Sequence, residues 1–189
     1  SFPLLVCRDP KSGKCVSKVK ALHAAQITSV TCSVDGATLL TCGRDSVLRV
    51  SDARSLRPKT TTATTTTTSN RQNPSSSDSP CPPMSDPAFV VTSVWCSAAL
   101  GPDGKHAAAA SGDGGGGLFV WETGTGRRVR RLLVSSSSGG GGGSSSASSS
   151  GVAAAAPGGA LAVAWSPQGS PLACCDRGGG VSLWAPRGG

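Results

Sequence analysis

The sequence predicts an all-β fold in which a unit of short antiparallel strands is repeated along the chain. Three segments share one form, an apolar strand followed by a tight turn that ends in glycine: ITSVTCSVDG, VTSVWCSAALGPDG and LAVAWSPQG. Their closing glycines, Gly36, Gly104 and Gly169, are 68 and 65 residues apart. Without the low-complexity residues 58–87 and 135–159 these spacings become 38 and 40, close to the roughly 40–45 residues of a repeated β-sheet blade.

The strands of each unit follow in chain order. Residues 1–22 have the pattern of the last two strands of a preceding blade, with Asp9 in the turn between them. Residues 23–57, 88–134 and 160–189 each give a blade in which apolar strands alternate with Gly/Asp turns and show no helical periodicity.

Two low-complexity inserts interrupt the repeat. Residues 58–87 are rich in Thr, Ser and Pro, and residues 135–159 are rich in Ser, Gly and Ala. Both have almost no large apolar side chains whose burial could offset the entropy of ordering, so we expect them to be disordered. Long insertions in surface loops cost little, because closure entropy grows only logarithmically with loop length.

At these residues the chain resembles a WD-repeat β-propeller. The family joins a His, a Ser or Thr, an Asp and a Trp of one blade by hydrogen bonds. His23, Thr41 and Asp45 match the first three positions in the first unit, and Ser51 stands in place of the Trp. The resemblance implies a partial propeller of three blades plus the last two strands of another.

The other two units match the family pattern less completely. The second keeps Asp113 and Trp121 but has Ala109 at the Ser/Thr position, and the third keeps Asp176 and Trp184. The role of such a network is structural, because it satisfies polar groups buried between strands.

A more specific resemblance is to the C-terminal blades of the autophagy-related protein 16 family. It rests on the order of three blocks, containing LLTCGRDSVLRVSDARS, GKHAAAASGDGGGGLFVWETGTGRRVRRLL and LAVAWSPQGSPLACCDRGGGVSLWA, and on the terminal LWA. The resemblance implies a non-enzymatic scaffold for the conjugate of autophagy proteins 12 and 5, at forming autophagosome membranes. The family binds protein 5 through an N-terminal helix and dimerises through a coiled coil. Neither of these elements matches a block of this chain.

Localisation and alternative functions follow from composition. No secretory leader is visible, and no apolar run approaches the roughly 20 residues that span a bilayer, so we expect a cytoplasmic protein. A WD-repeat adaptor or ubiquitin-ligase substrate receptor is one alternative. The net charge of +8 allows a basic nucleic-acid-binding module as another. No aromatic residues alternate with the arginines, so our expectation is protein partners and no nucleic acid.

The sharpest basic cluster is RRVRR, which contributes Arg127, Arg128, Arg130 and Arg131. It falls where the outermost strand of the second blade is predicted, and edge strands commonly carry charge that prevents edge-to-edge aggregation. An acidic protein or a membrane surface is the alternative ligand of this cluster.

The sequence predicts no catalytic residue, no cofactor and no metal site. It has one Glu, no paired carboxylates, no nucleophile elbow and no phosphate-binding loop. Neither histidine has zinc-ligand spacing, and five of the eight cysteines lie in apolar stretches typical of buried thiols: Cys32, Cys42, Cys96, Cys174 and Cys175.

One residue is a candidate partner contact. In the WD-repeat family the residue before each turn Asp faces one end of the ring, and the matching positions here are Arg44, Gly112 and Cys175. Only Arg44 has the reach and charge to bind a partner.

Overall fold

The structure is a computed structural model, and it describes residues 3–61, 79–112, 117–134 and 159–185. Every regular element within these ranges is a β-strand, and all strand pairs are antiparallel, so the all-β prediction is confirmed. No helix in the described ranges is long and apolar enough to cross a membrane. The number of blades remains a prediction.

The first sheet pairs two strands, β1 (Leu4–Arg8) and β2 (Cys15–Lys20). Asp9 closes the turn between them, since its carboxylate accepts the backbone N–H groups of Lys11 and Ser12, each at 3.1 Å. This is a local Asx-type turn, in which a short carboxylate replaces a backbone acceptor.

Blade one consists of β3 (Ile27–Cys32), β4 (Thr38–Gly43) and β5 (Leu48–Asp52), in that order across the sheet. All six residues of β4 are buried, because this central strand has a neighbour on each side and side chains packed on both faces. Its run of small and apolar side chains suits a fully buried strand.

Part of the segment 58–87, for which we expected disorder, is ordered in the structure. Pro58 forms a bridge with Ser51 on the free side of β5. Two short strands follow, β6 (Thr60–Thr61) and β7 (Ser79–Pro80), which pair with each other.

The chain then returns to β5 through Met84. Its N–H and C=O exchange hydrogen bonds with Leu48 at 3.0 and 2.9 Å, and its side chain is fully buried. Cys81 packs against the same core. Met84 and Cys81 therefore pack beside β5, although the segment as a whole is poor in apolar residues. Residues 62–78 and 135–158 lie outside the described part of the chain, so their expected disorder stays a prediction.

Blade two has four strands in the order β11-β10-β9-β8: β8 (Ala98–Leu100), β9 (His106–Ser111), β10 (Gly117–Glu122) and β11 (Arg128–Leu133). The outermost strand is therefore β11, where we predicted the arginine cluster. The guanidinium of Arg128 lies 2.8 Å from the Asp86 carboxylate, and that of Arg131 lies 5.2 Å from the centre of the Phe119 ring.

Blade three consists of β12 (Ala160–Trp165), β13 (Leu172–Asp176) and β14 (Val181–Trp184). The three strands form a meander, with β13 in the middle. Burial alternates along β13, so one face of the blade packs inward while the other is more open.

The blades pack face to face and share two hydrophobic cores. Side-chain and backbone hydrogen bonds join them as well: the Thr31 hydroxyl donates to the Ala98 carbonyl at 2.8 Å, and Ser97 Oγ accepts from the Val163 N–H at 2.9 Å. The core between blades one and two includes Leu40, Leu48, Val50, Met84, Phe89, Phe119 and Trp121. The core between blades two and three includes Ala108, Ala110, Leu118, Val120, Val163, Leu172 and Cys174.

Candidate functional site

Three predicted network residues meet in blade one. The carboxylate of Asp45 lies 3.0 Å from Nδ1 of His23, and Nε2 of His23 lies 2.8 Å from Oγ1 of Thr41. Asp45 also accepts the N–H of Ala24 at 2.8 Å. A Cβ atom at Gly43 would lie 2.5 Å from both His23 Nδ1 and Asp45 Oδ1, so the network requires glycine there. The network joins the segment before β3 to β4 and its following turn.

His23 is neutral in this network at neutral pH. Burial lowers its pKa from the usual 6.5, although the hydrogen bond and charge of Asp45 act in the opposite direction. A neutral ring with its proton on Nδ1 donates to Asp45 and accepts from the Thr41 hydroxyl through Nε2. This tautomer satisfies both ring nitrogens, and the imidazole then acts as a buried connector.

The fourth position of the blade-one network is occupied by Ser51. Its hydroxyl is buried without a hydrogen-bond partner, and so is Nε of Arg49. A cavity of about 40 Å³ lies next to them, lined in part by Leu22 and Pro58. Serine therefore neither fills the space beside the network nor donates to it.

In blade two the strand register places an alanine at the hydroxyl position of the network. Trp121 pairs with Ala107, and Ala109 lies two residues after Ala107 on β9. In blade one Ser51 pairs with Leu39, and Thr41 lies two residues after Leu39 on β4. Ala109 thus occupies the hydroxyl position, as predicted. It cannot accept a hydrogen bond through its side chain, and Nε1 of Trp121 is buried without a partner. Asp113 lies outside the described residues.

Aromatic packing takes the place of the network in blade two. The Trp121 ring is fully buried, with its centroid 4.9 Å from that of Phe89 and 5.7 Å from that of Phe119. Phe89 and Phe119 also meet edge to face at 5.4 Å. Such aromatic pairs contribute beyond the area that they bury.

In blade three Asp176 does not occupy the position that we predicted. The N–H of Asp176 donates to the carbonyl of Gly180, as that of Gly43 donates to the carbonyl of Val47. Asp176 therefore matches Gly43, two positions before the equivalent of Asp45. The prediction aligned Asp176 with Asp45 because both are aspartates that follow a strand, whereas the hairpin register decides which residues are equivalent. Its side chain is buried, and Oδ1 accepts the Gly180 N–H at 2.8 Å.

The same register corrects one candidate contact position. The N–H of Arg44 donates to the Gln26 carbonyl, and the N–H of Arg177 makes the matching bond to the Gly159 carbonyl. Arg177, not Cys175, is thus the blade-three equivalent of Arg44.

Two further candidate residues lie at a strand end and in a turn. Trp184 ends β14, pairs with Leu172 and packs against the second core. Arg44 is exposed in the turn after β4, and its Nη2 donates to the Thr92 carbonyl of blade two at 3.3 Å. Arg44 therefore spans the boundary between two blades.

The cysteines show no metal-binding arrangement. No group of three or more His, Cys, Asp or Glu in the described residues could hold a metal ion. Burial raises the pKa of Cys42 and of Cys174 to about 12, so both stay as protonated thiols. Cys96 is also buried, but Cys32 is exposed and Cys175 half-buried, contrary to our expectation. Cys32 borders a cavity that residues of blades two and three also line.

Comparison with known proteins agrees with this architecture. The family model described as "WD domain, G-beta repeat" matches residues 13–52, which span β2 to β5 and the blade-one network. This part of the chain is therefore similar to a WD repeat.

A particular relative extends the similarity to almost the whole chain. Autophagy-related protein 16 of Arabidopsis thaliana is 29% identical over 176 residues, which cover 93% of this chain. The chain spans about a quarter of that relative, since the match covers 26% of its length. The WD repeat and this similarity point to a non-catalytic interaction scaffold.

Proposed function

We propose that the chain is a protein-interaction scaffold corresponding to the C-terminal propeller part of an autophagy-related protein 16-like subunit. In this proposal it contributes to autophagosome assembly in the cytoplasm and directs its complex to forming autophagosome membranes. Its direct partners are proteins. The conjugate of autophagy proteins 12 and 5 binds elsewhere in the subunit.

The observation that carries the proposal is the similarity to the Arabidopsis protein across 93% of the chain. It extends beyond residues 13–52, where the general WD-repeat pattern is matched. Phrases such as AVAWSPQG are common to WD repeats, whereas the order of the blocks is specific.

The geometry of the described residues also supports a scaffold. His23, Thr41 and Asp45 are bound to one another and hold three parts of one blade together. His23 is only 1% exposed, so a substrate has no access to its ring. We propose Arg44 as a partner contact, because it is exposed on a rigid turn at a blade boundary.

A chimera tests this proposal. The matching region of Arabidopsis autophagy-related protein 16 is replaced by this chain, and recruitment to membranes is followed by fluorescence in starved plant cells. We expect recruitment above that of the relative lacking the region, and equal expression of both proteins is the control. Recruitment no better than that of the truncated relative would contradict an autophagy role.

A further inference from the structure

Trp95 is an exposed aromatic residue on a hydrogen-bonded turn. Its side chain is 75% exposed, whereas Trp121 is fully buried. The turn is closed from within, because Ser93 Oγ accepts the Trp95 N–H at 3.2 Å and the Ser93 carbonyl accepts the Cys96 N–H at 3.3 Å. Ser93 and Cys96 are themselves buried. The indole is therefore exposed on a turn that two hydrogen bonds close.

Arg44 reaches this turn from blade one. It donates to the Thr92 carbonyl, three residues before Trp95. The bond uses one of the five N–H donors of the guanidinium, and the side chain remains exposed. A planar guanidinium with free donors is suited to binding a carboxylate in a bidentate manner.

Arg177 approaches the same turn from blade three. Its N–H is bonded to Gly159, and a Cβ atom at Gly159 would lie 2.5 Å from the carbonyl oxygen of Gly112. A Cβ atom at Gly112 would in turn lie 2.9 Å from Cys96 Sγ. These close approaches join blade three to blade two at the end where Arg44 of blade one bonds to Thr92.

The charge of Arg177 also acts on the buried thiol of this turn. Burial raises the pKa of Cys96, whereas backbone hydrogen bonds with Ser93 and Gly112 and the positive charge of Arg177 oppose that increase.

Acidic side chains at this end of the described blades are already engaged or covered. Asp45 binds His23 and the Ala24 N–H, and Asp176 is only 4% exposed. Arg44 and Arg177 are exposed cations on the described part of this surface. Together with Trp95, they combine positive charge with an aromatic side chain.

We propose that Trp95, Arg44 and Arg177 form a docking surface for an acidic peptide segment of a partner protein. The carboxylates of the segment pair with the two arginines, and an apolar side chain of the segment packs on the Trp95 indole. This inference rests on the proposed scaffold role, and it names the chemical class of the partner.

Charge and geometry favour a peptide over a membrane surface. Binding to anionic lipid typically requires clusters of about 4–8 basic residues, whereas two arginines among the described residues flank this turn. Trp and Arg are enriched among residues that dominate protein interfaces, particularly when they are preorganised.

Fluorescence anisotropy with the full chain tests the proposal. The probe is a short labelled peptide in which Asp and Glu flank a central Leu-Trp pair, and the control probe replaces these acids with Asn and Gln. We expect binding of the acidic probe alone, weakening as salt increases. Trp95→Ala reduces its affinity about tenfold or more, and Arg44→Gln and Arg177→Gln reduce it several-fold each.

Two exposed residues elsewhere provide matched variants. Arg54→Gln changes a charge in the turn after β5, at the opposite end of blade one, and Leu133→Ala shortens a side chain that is 71% exposed on β11. Neither change affects binding if the surface is correct. Equal losses in these controls would overturn the proposal.

Binding to vesicles of phosphatidylcholine with phosphatidylserine tests whether the surface binds anionic lipid instead of the peptide. Trp95-dependent binding to these vesicles without binding to the acidic peptide would overturn the proposal in favour of a membrane surface. Absence of peptide binding together with normal recruitment of the chimera would remove this inference and leave the autophagy role. Peptide binding without recruitment of the chimera would support this inference and contradict the autophagy role.

Discussion

Blades one and two stabilise the same place in their sheets by different chemistry. Blade one uses the hydrogen-bonded residues His23, Thr41 and Asp45, with Ser51 at the end of its third strand. Blade two has Ala109 in place of the hydroxyl and instead buries Trp121 among phenylalanine rings.

The two blades thus contain different parts of the set of His, Ser or Thr, Asp and Trp within the described residues. Blade one keeps the polar half and leaves a small cavity, while blade two keeps the tryptophan and leaves its Nε1 without a partner. Each blade retains one strong set of contacts, so stability is divided between polar satisfaction and aromatic burial.

The largest expected effect is the loss of aromatic packing in blade two. Trp121→Ala lowers the free energy of unfolding by about 3–5 kcal/mol, because it creates a cavity where the ring was fully buried. Guanidinium unfolding measures the change. Trp95→Ala is the matched control and changes stability by less than about 0.5 kcal/mol, as for most surface substitutions. Equal losses for the two variants would mean that Trp121 is not a core residue.

The next largest effect is expected in the polar network of blade one. His23→Ala lowers the free energy of unfolding by about 2 kcal/mol, because it leaves buried Thr41 and Asp45 groups unsatisfied. A double-mutant cycle with Asp45→Ala gives a coupling energy of about 1 kcal/mol. Additive losses would show that the two side chains act independently.

A pH dependence distinguishes blade one from blade two. The buried His23, which faces Asp45 and Arg49, has a lowered pKa, so the unfolded chain binds this proton more readily than the folded chain. Its stabilisation is therefore complete above about pH 6.5 and decreases as the pH falls below that value. Urea unfolding between neutral and mildly acidic pH measures this decrease.

Two histidine variants provide the controls for that pH dependence. His23→Gln removes the decrease, whereas His106→Gln, at a histidine paired with an exposed aspartate, retains it. An unchanged pH profile in His23→Gln would place the titrating group elsewhere.

The smallest expected effect is a gain. Ala109→Ser introduces a hydroxyl at the register position of Thr41 and raises the free energy of unfolding by about 0.5–1 kcal/mol if it accepts from Trp121 Nε1. Ala108→Ser is the control, because its side chain faces the apolar core with blade three and its hydroxyl would be buried among apolar groups. A gain in both variants would rule out the hydrogen bond as its cause.

The sequence predicted most of the local structure. Apolar strands ending at Gly/Asp turns indicated the sheets of all three blades, and the arginine cluster fell on the edge strand β11. The sequence also predicted that His23, Thr41 and Asp45 belong to one network, and these residues are hydrogen-bonded in the structure. The sheets and the edge strand depend on strand periodicity and turn residues, which are local properties of a sequence, whereas the network residues were predicted from the resemblance to WD-repeat proteins.

The errors arose where equivalence depends on long-range pairing. Asp176 matched the family aspartate in the sequence, but the hairpin register places it at the position of Gly43. Met84 lies in a segment with disordered composition, yet it gains burial beside β5. Low average hydrophobicity does not exclude one apolar side chain that finds a partner strand.

The sequence alone determined the strand class, the turns and the repeat, because these follow from side-chain alternation and from residues that permit tight turns. Only the tertiary structure decided the environment of the tryptophans. Trp121 is fully buried, Trp165 and Trp184 are partly buried, and Trp95 is exposed. Burial depends on which blade covers each face, and that contact joins residues far apart in the chain.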